Sequence, residues 1–425
     1  MIYRKNMEVV NLKNIWIFNH YATDNYFNEG GRHYWFAEFL KKKGYKVTIF
    51  CANTRHNSND VIDTNRKLYA ERVVNEIPFV FVKSHTYNSN NHHRILNMLS
   101  FSKRLLKVSE EYRKRYGKPD IIIASSVHPL TLIAGLKIAK ELQVKCIVEV
   151  RDLWPESIVA YEILSKSNPI TQMMYQAEKK IYEKADAIVM TWQGGKDYIK
   201  NQGWFSSISE EKIYHISNGV VLKNFNQNAD LYKVNDSELM DTNYKNYVYT
   251  GSIRKVNYLS FLVDVAKILD EKYPDSNIRI LVYGDGDEKT NLEEKVSELK
   301  LSNIVFKGKV HKKYVPFILK NSYGNILHNR STNLDKYGQS QNKLFEYLAA
   351  GRPIIQTYST GYSVIETENC GYCAKNQTPE EVAKALVDLA QNENEARTQG
   401  ENSKQKSINF DFENLTNKLI EVIER

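Results

Sequence analysis

Apolar residues along this chain arrive in two alternating modes. Short unbroken runs at Ile15–Phe18, Val47–Phe50, Ile121–Ala124, Cys146–Val150 and Ala187–Thr191 are separated by longer stretches where apolar residues return every three or four positions. The alternation resumes at Tyr247–Thr250, Ile278–Tyr283, Ile304–Phe306, Gly324–His328 and Pro353–Gln356. Unbroken runs of this length read as strands buried on both faces, and the helical spacing as the crossovers that cover them. Repeated strand–helix alternation predicts parallel sheets, here twice over. The stretch NFNQNADLYKVNDSELMDTNYKN, residues 224–246, is rich in Asn and Asp and reads as a linker with a surface excursion. The expected fold class is α/β, with two Rossmann-like doubly wound domains, 1–222 and 223–407, facing across a cleft. At 425 residues the chain exceeds one ordinary core, which agrees.

Helix punctuation supports the pattern. In TPEEVAKALVDLA, Thr378 is an N-cap, Pro379 the first helical residue and Glu381 the third, a capping box. In NKLFEYLAAGRPII, the stripe Leu344, Phe345, Leu348 and Ala349 is stopped by Gly351 and Pro353 before a buried strand. The segment 94–118 is basic and carries Ile95, Met98, Phe101, Leu105, Val108, Tyr112 and Tyr116 as one apolar stripe. It reads either as an amphipathic helix on an anionic membrane surface or as a helix packed on the first sheet.

Composition narrows the class further. The net charge of +9 suits nucleic acid, an anionic membrane or phosphorylated substrates. The basic residues cluster in one helix without aromatic platforms, which argues against a nucleic-acid partner. No apolar run is long enough to span a bilayer, and MIYRKNMEVV lacks the core of a signal peptide, so the expected location is cytoplasmic, with peripheral contact at the inner membrane face as the alternative. Cys51 and Cys146 sit in strand-like runs, and Cys370 with Cys373 forms a lone C-x-x-C without metal-site partners. No metal site is expected.

Ligands of doubly wound sheets bind beyond the carboxyl ends of the strands, so the loops there carry the chemistry. After the first strand, Gly30 and Gly31 precede a helix and make either a tight turn or an anion cradle. In SSVHPL, His128 is either a sugar-hydroxyl partner or a satisfied loop histidine. In EVRDLWPES, Arg151 and Asp152 are either an ion pair supporting the loop or an acceptor contact, beside Glu149 and Glu156. The second half opens with YTGSIRK, where Gly251, Ser252, Arg254 and Lys255 form a plausible diphosphate clamp. Gly284 in YGDGDEK supplies a second glycine-rich strand end. Neither loop matches a Walker or dinucleotide fingerprint, which counts against ATP hydrolysis and hydride transfer. Asn342 and Lys343 open the helix of NKLFEYLAAGRPII, with Glu346 on the face of Lys343. That arrangement suggests lysine on phosphate and glutamate on a ribose cis-diol.

Taken in order, NHYA…GGRHY, EVRDLWPES, ISNGV, YTGSIRK, YGDGDEK and NKLFEYLAAGRPII resemble the retaining glycosyltransferases of family 4, with the GT-B fold. The likeness is to the bacterial branch that builds surface polysaccharides and O-antigen-type repeats. The resemblance implies a nucleotide-sugar donor, UDP-linked and carrying an N-acetylamino sugar by that branch, held by the C-terminal domain. It implies a glycan or polyprenyl-diphosphate-linked acceptor on the N-terminal domain, and a last helix, 408–425, crossing back to that domain. It places the donor at Gly30, Gly31, Gly251, Ser252, Gly284, Asn342, Lys343 and Glu346, and catalysis at His128, Arg254 and Lys255. No cofactor is implied, since the leaving diphosphate would be stabilised by Arg254, Lys255, Lys343 and helix termini. One departure stands out: the family's paired glutamates put the first at position 338, where this chain has Gly338. Tyr337, Gln339, Ser340, Gln341 or backbone amides are left to replace it. The competing readings are an epimerase or hydrolase on the same fold, and a catalytically silent sugar-nucleotide-binding protein.

Overall fold

The structure is a computed structural model that describes residues 13–56, 58, 60–87 and 92–425. The stretch MIYRKNMEVV, and the reading made on it, lie outside the described residues. The chain divides into two compact units, the first comprising Met1–Thr191, Ile199–Ile216 and Thr416–Arg425, the second Trp192–Tyr198 and Ser217–Leu415.

The first unit holds strands β1 (Asn14–Asn19), β2 (Lys46–Ala52), β3 (Tyr69–Val74), β4 (Ile77–Val82), β5 (Ile121–Ser125), β6 (Lys145–Val150), β7 (Ala187–Met190) and β8 (Ile213–His215). They form one sheet in the order β3-β4-β2-β1-β5-β6-β7-β8, parallel except for the β3–β4 hairpin. The second unit holds β9 (Lys245–Thr250), β10 (Ile278–Tyr283), β11 (Ile304–Gly308), β12 (Gly324–Leu327), β13 (Ile354–Gln356) and β14 (Gly371–Cys373), ordered β11-β10-β9-β12-β13-β14. Six helices matter to the argument: α1 (Arg32–Lys42), α2 (His92–Tyr116), α3 (Pro129–Leu142), α4 (Pro169–Lys184), α5 (Asn342–Ala350) and α6 (Phe412–Glu424). The doubly wound α/β class read from the pattern is what the sheets show.

Two of the runs that read as strands are buried from end to end, Ile15, Trp16, Ile17 and Phe18 in β1 and Ile278–Tyr283 in β10, whereas in β11 only Ile304 is fully buried. Aromatic edges lock the first core, with Phe18 edge-on to Phe50 and Trp16 edge-on to Tyr112 of α2. That last contact settles much of the basic helix. Phe101, Leu105, Val108 and Tyr112 are buried within the first unit, while Ile95 and Leu99 near its start remain exposed. The middle of the stripe therefore packs on the sheet and is not available to a membrane.

Two readings need correction. The β3–β4 hairpin was not expected, because half-buried Glu71 and exposed Arg72 break β3 and Pro78 interrupts β4. A proline is tolerated in a strand where its missing donor is not needed by a ladder. Residues 224–246 are not a linker either. A helix, Leu222–Leu231, buries Phe225 and Ala229, and the carboxylate of Asp236 accepts from Tyr283 OH at 2.8 Å and Lys307 Nζ at 2.9 Å. Asp236 and Asn246 thus serve the second unit's core, while most other polar residues of the stretch are exposed, as a surface excursion would be. At Thr378 the N-cap is present, its hydroxyl accepting from Glu381 N at 3.3 Å. The Glu381 carboxylate, however, turns to the N–H groups of Lys375 and Asn376 at 2.7 and 2.9 Å, so the reciprocal half of the capping box is not made.

The last helix starts in the second unit and ends in the first. Its expected face, Phe412, Leu415, Leu419 and Ile423, is buried. Lys13 Nζ donates to Ile423 O at 2.8 Å, and Tyr45 OH to Glu424 Oε1 at 2.9 Å. Ile423→Ala should therefore remove about 2–4 kcal/mol from the first unit. Hydrogen exchange read by mass spectrometry should show faster exchange in β1 and β2 and no change in β9–β14.

Candidate functional site

In each sheet the chain reverses its direction of growth at the first strand, between β1 and β5 in one unit and between β9 and β12 in the other. The space beyond the carboxyl ends of those strands is where such folds receive ligands.

In the second unit, β9 ends at Thr250 and the loop Gly251–Lys255 follows. Gly251 N donates to Tyr283 O at 3.0 Å, Ile253 N to Asp285 O at 2.9 Å, and Gly284 N to Gly308 O at 2.9 Å, so the loops after β9 and β10 are zipped together. Any Cβ at Gly284 would fall 1.8 Å from Gly251 O, which restricts this position to glycine. A Cβ at Gly251 would meet Tyr249 OH at 2.9 Å and Lys343 Nζ at 3.2 Å. The ammonium of Lys343 donates to Tyr249 OH at 3.1 Å and lies over the Tyr249 ring. Removal from water lowers its pKa to about 8, against the opposing pull of Glu346. Tyr347, four residues on, accepts from Thr250 N at 3.0 Å, so one face of α5 clasps the end of β9 at two points.

α5 begins at Asn342, and Gln341 at its N-cap makes no side-chain capping bond. Its first amides and the dipole therefore favour an anion. Glu346 is 22 % exposed in its side chain and lies 3.6 Å from the exposed ammonium of Lys312, a surface pair of little energetic weight. Ser252 Oγ donates to Asn257 Oδ1 at 3.0 Å, holding the turn that exposes Arg254 and Lys255. The structure thus brings Gly251, Gly284 and Lys343 together, with Glu346 a turn beyond Lys343, and leaves Arg254 and Lys255 on the exposed rim.

Sequence reasoning missed His328, at the end of β12. Its Nε2–H donates to Tyr258 O at 2.9 Å and its Nδ1 accepts from Thr357 Oγ1 at 2.7 Å. Burial pushes its pKa down to about 4, so it is a neutral brace for the Arg254–Tyr258 turn. A histidine closing a buried strand was the available signal. The loop before α5 is equally tied. Gln339 Nε2 donates to Gln356 Oε1 at 2.5 Å, Gln341 Nε2 to Tyr358 OH at 2.7 Å, and Asn218 N to Ser340 Oγ at 2.8 Å. Gly338 has φ 91° and ψ −164°, a conformation open to glycine alone.

In the first unit the corresponding position is occupied by a closed network. Glu149 Oε2 accepts from Arg32 Nε at 2.7 Å, and its Oε1 accepts from Ser125 Oγ at 2.7 Å and from His33 Nε2–H at 2.9 Å. Asn19 Nδ2 donates to Ser125 Oγ at 3.0 Å. Burial raises the Glu149 pKa, but Arg32 and His33 outweigh that and hold the carboxyl well below its usual range. Gly31 caps α1 with φ 105°, and Gly30 lies against the Trp35 ring. His128, 2 % exposed, shares a 3.0 Å hydrogen bond with His20 Nδ1. Burial pushes its pKa down to about 3, with Arg94 adding to the effect, so the imidazole is neutral. Arg151 N donates to Ser126 Oγ at 2.9 Å, and Asp152 is exposed on the turn after β6. Among the described residues no cluster of three or more His, Cys, Asp or Glu could hold a metal ion. No helix among them is long and apolar enough to cross a membrane.

Two parallel-sheet units, each with its polar groups gathered at the switch point, are the architecture of the GT-B glycosyltransferases. Solved structures with that fold include an Anabaena protein, Alr3699/HepE, in complex with UDP, at TM-score 0.67 and 12 % identity over 97 % of this chain and 100 % of that one. Another is the trehalose-6-phosphate protein from E. coli bound with UDP-2-fluoro glucose, at TM-score 0.71 and 11 % identity over 97 % and 99 %. The family description "Glycosyltransferase Family 4" matches residues 34–224 and "Glycosyl transferases group 1" matches residues 244–392. The chain belongs to this glycosyltransferase family. Two uncharacterized glycosyltransferases of Methanocaldococcus jannaschii, MJ1069 and MJ1059, are each 24 % identical, over 58 % and 60 % of this chain. The chain spans 60 % of the first and 58 % of the second.

Two outcomes follow from this geometry. Glu149→Gln leaves the Arg32 guanidinium buried without its counter-charge and should destabilise the first unit by about 3–5 kcal/mol, read by urea unfolding. Lys343→Met removes a desolvated ammonium and should stabilise the ligand-free protein by about 1 kcal/mol at pH 7, read as a higher midpoint in the same assay.

Proposed function

We propose that this protein is a retaining glycosyltransferase that takes a sugar from a nucleotide diphosphate donor, UDP-linked by preference, and places it on a glycan or polyprenyl-diphosphate-linked acceptor in surface-polysaccharide synthesis. The observation that carries the reading is the Lys343 ammonium, held against Tyr249 beside Gly251 at the uncapped start of α5, with Glu346 one turn along the same helix. A diphosphate fits beside the ammonium and the free amides, and a carboxylate at Glu346 accepts the two hydroxyls of a ribose. The UDP complexes of the Anabaena and E. coli proteins support the choice of base.

In this reading the bond between the sugar's anomeric carbon and the diphosphate oxygen breaks, and a bond to the acceptor oxygen forms on the same face. The acceptor's proton passes to the departing phosphate oxygen. Lys343, the first amides of α5 and the exposed Arg254 and Lys255 offset the charge that develops on the diphosphate, a preorganised electrostatic contribution. No metal is required by that arrangement. In this reading Arg151 and Asp152 of the first unit contact the acceptor or support its loop, and His128 acts near the transferring sugar as a neutral hydrogen-bonding group. A binding-only alternative draws on Gly338, which removes one of the family's paired carboxylates.

The test is a thermal-shift screen against UDP-, GDP-, dTDP- and ADP-sugars, with and without EDTA, followed by turnover with acceptor. UDP-sugars should raise the melting temperature irrespective of EDTA, and Glu346→Ala and Lys343→Met should abolish the shift. A shift that needs divalent metal overturns the metal-free mechanism, and binding without turnover on any acceptor supports the binding-only alternative. The pH dependence has a defined sign. The folded pKa of Lys343 lies below 10.5, at about 8, so in the free protein this group adds stability as pH rises between those values. Bound diphosphate needs the protonated form, so UDP affinity should fall as pH rises through about 8, and Lys343→Arg should flatten that fall.

A further inference from the structure

α3 and α4 follow consecutive parallel strands, β5 and β6, and pack beside each other on the first unit. Between them runs a groove of about 660 Å³, bordered by Ile133, Leu136, Lys137, Lys140, Lys180 and Lys184. A shallower depression continues it along α4 past Met173.

The distribution of side chains along the two helices is the same. On α3, Ile133 precedes Lys137 and Lys140 at spacings of one face, and on α4 Ile170 and Met173 precede Lys180 and Lys184. Ile133, Ile170 and Met173 are large apolar residues left 44 %, 60 % and 73 % exposed. Lys137, Lys140, Lys180 and Lys184 are exposed, and none of them makes an ion pair within the described residues. The acid that borders the groove, Asp186, accepts the N–H of Cys146 at 2.7 Å. Two helices therefore share an apolar end and a cationic end, and the floor between them is apolar.

We propose that this face docks on the anionic leaflet of a membrane. Ile133, Ile170 and Met173 enter the interfacial region, and the lysines meet lipid phosphates at headgroup depth. The argument is charge complementarity combined with layering: unpartnered cations beside exposed apolar chains, in the order a lipid interface presents its own layers. An acidic protein partner would match the lysines but not the separate apolar end. The site is distinct from the basic helix α2, whose stripe is largely buried, and the docking stands or falls independently of sugar transfer.

The test is co-sedimentation of the full chain with vesicles of phosphatidylcholine alone and of phosphatidylcholine mixed with phosphatidylglycerol. The wild type should bind the mixed vesicles and not the neutral ones, and binding should weaken with salt. Lys137→Glu with Lys180→Glu should lower the bound fraction about tenfold. Met173→Gln, which keeps the net charge, should lower it through the lost apolar contact, and Ile95→Gln with Leu99→Gln on α2 should leave it unchanged. All substituted residues are exposed, and unchanged circular-dichroism melting confirms that each variant folds. No binding, equal binding to neutral vesicles, or loss confined to the α2 variant overturns the proposal. Dimerisation in solution that Met173→Gln abolishes, without vesicle binding, assigns the face to a second copy of the chain and overturns it equally.

Discussion

An ammonium drawn out of bulk water must find its partners in the protein, and the end of β9 is organised around that requirement. Lys343 meets a tyrosine hydroxyl and a tyrosine ring, and Gly251 leaves free the volume its own Cβ would fill. The next strand contributes Gly284, whose lack of a side chain lets the two loops close to hydrogen-bonding distance. Tyr347 fixes α5 to Thr250, so Lys343 and Glu346 are presented by a helix that cannot slide along the strand. None of the partners of Lys343 is an anion in close contact. A half-buried cation left in that state carries a desolvation cost that an anionic ligand would relieve, which would tie the electrostatics of the free protein to its affinity.

The first unit solves the same problem in the opposite way. Its switch point also contains charge, but Arg32 and Glu149 neutralise one another, and Ser125, Asn19 and His33 satisfy the remaining lone pairs. A closed network of this kind holds the ends of β1, β5 and β6 and the start of α1 in one arrangement. It has no spare charge to offer a ligand. Beside the network lie the neutral His20–His128 pair and, on the turn after β6, Arg151 and Asp152.

How much of this could be read from the chain follows from which interactions are local. Strands buried on both faces announce themselves as apolar runs, so β1, β2, β5, β6, β9 and β10 were legible, as was the cap at Thr378. The β3–β4 hairpin was not, because the edge strand β3 carries Glu71 and Arg72 and buries no residue fully, and Pro78 interrupts the apolar run of β4. Residues 224–246 misled because Asp236 is buried by partners at 283 and 307, and no local pattern shows that a polar residue will be paired at such a distance. Lys343 and Glu346 could be proposed from helical spacing. The depressed pKa of Lys343 could not, since it depends on Tyr249 and Gly251, nearly a hundred residues away in sequence.

Gly338 stands where the resemblance to the family's paired-glutamate motif implies a carboxylate, and its backbone is itself specialised. Its φ of 91° and ψ of −164° are reached by glycine and by almost nothing else. The surrounding backbone depends on that turn. Gly338 N and Gly361 N both donate to Asp335 O at 2.9 Å, and Gly194 N donates to Tyr337 O at 2.9 Å. A glutamate placed at 338 would have to hold a conformation costing about 1–3 kcal/mol or break these bonds, so restoring the residue type would not restore the geometry. The candidates for its role are also occupied, with Gln339 and Gln341 bonded through Gln356 and Tyr358, and Ser340 through Asn218. The loop before α5 therefore keeps its polar side chains paired within the second unit, around a turn that a glutamate could not adopt without strain.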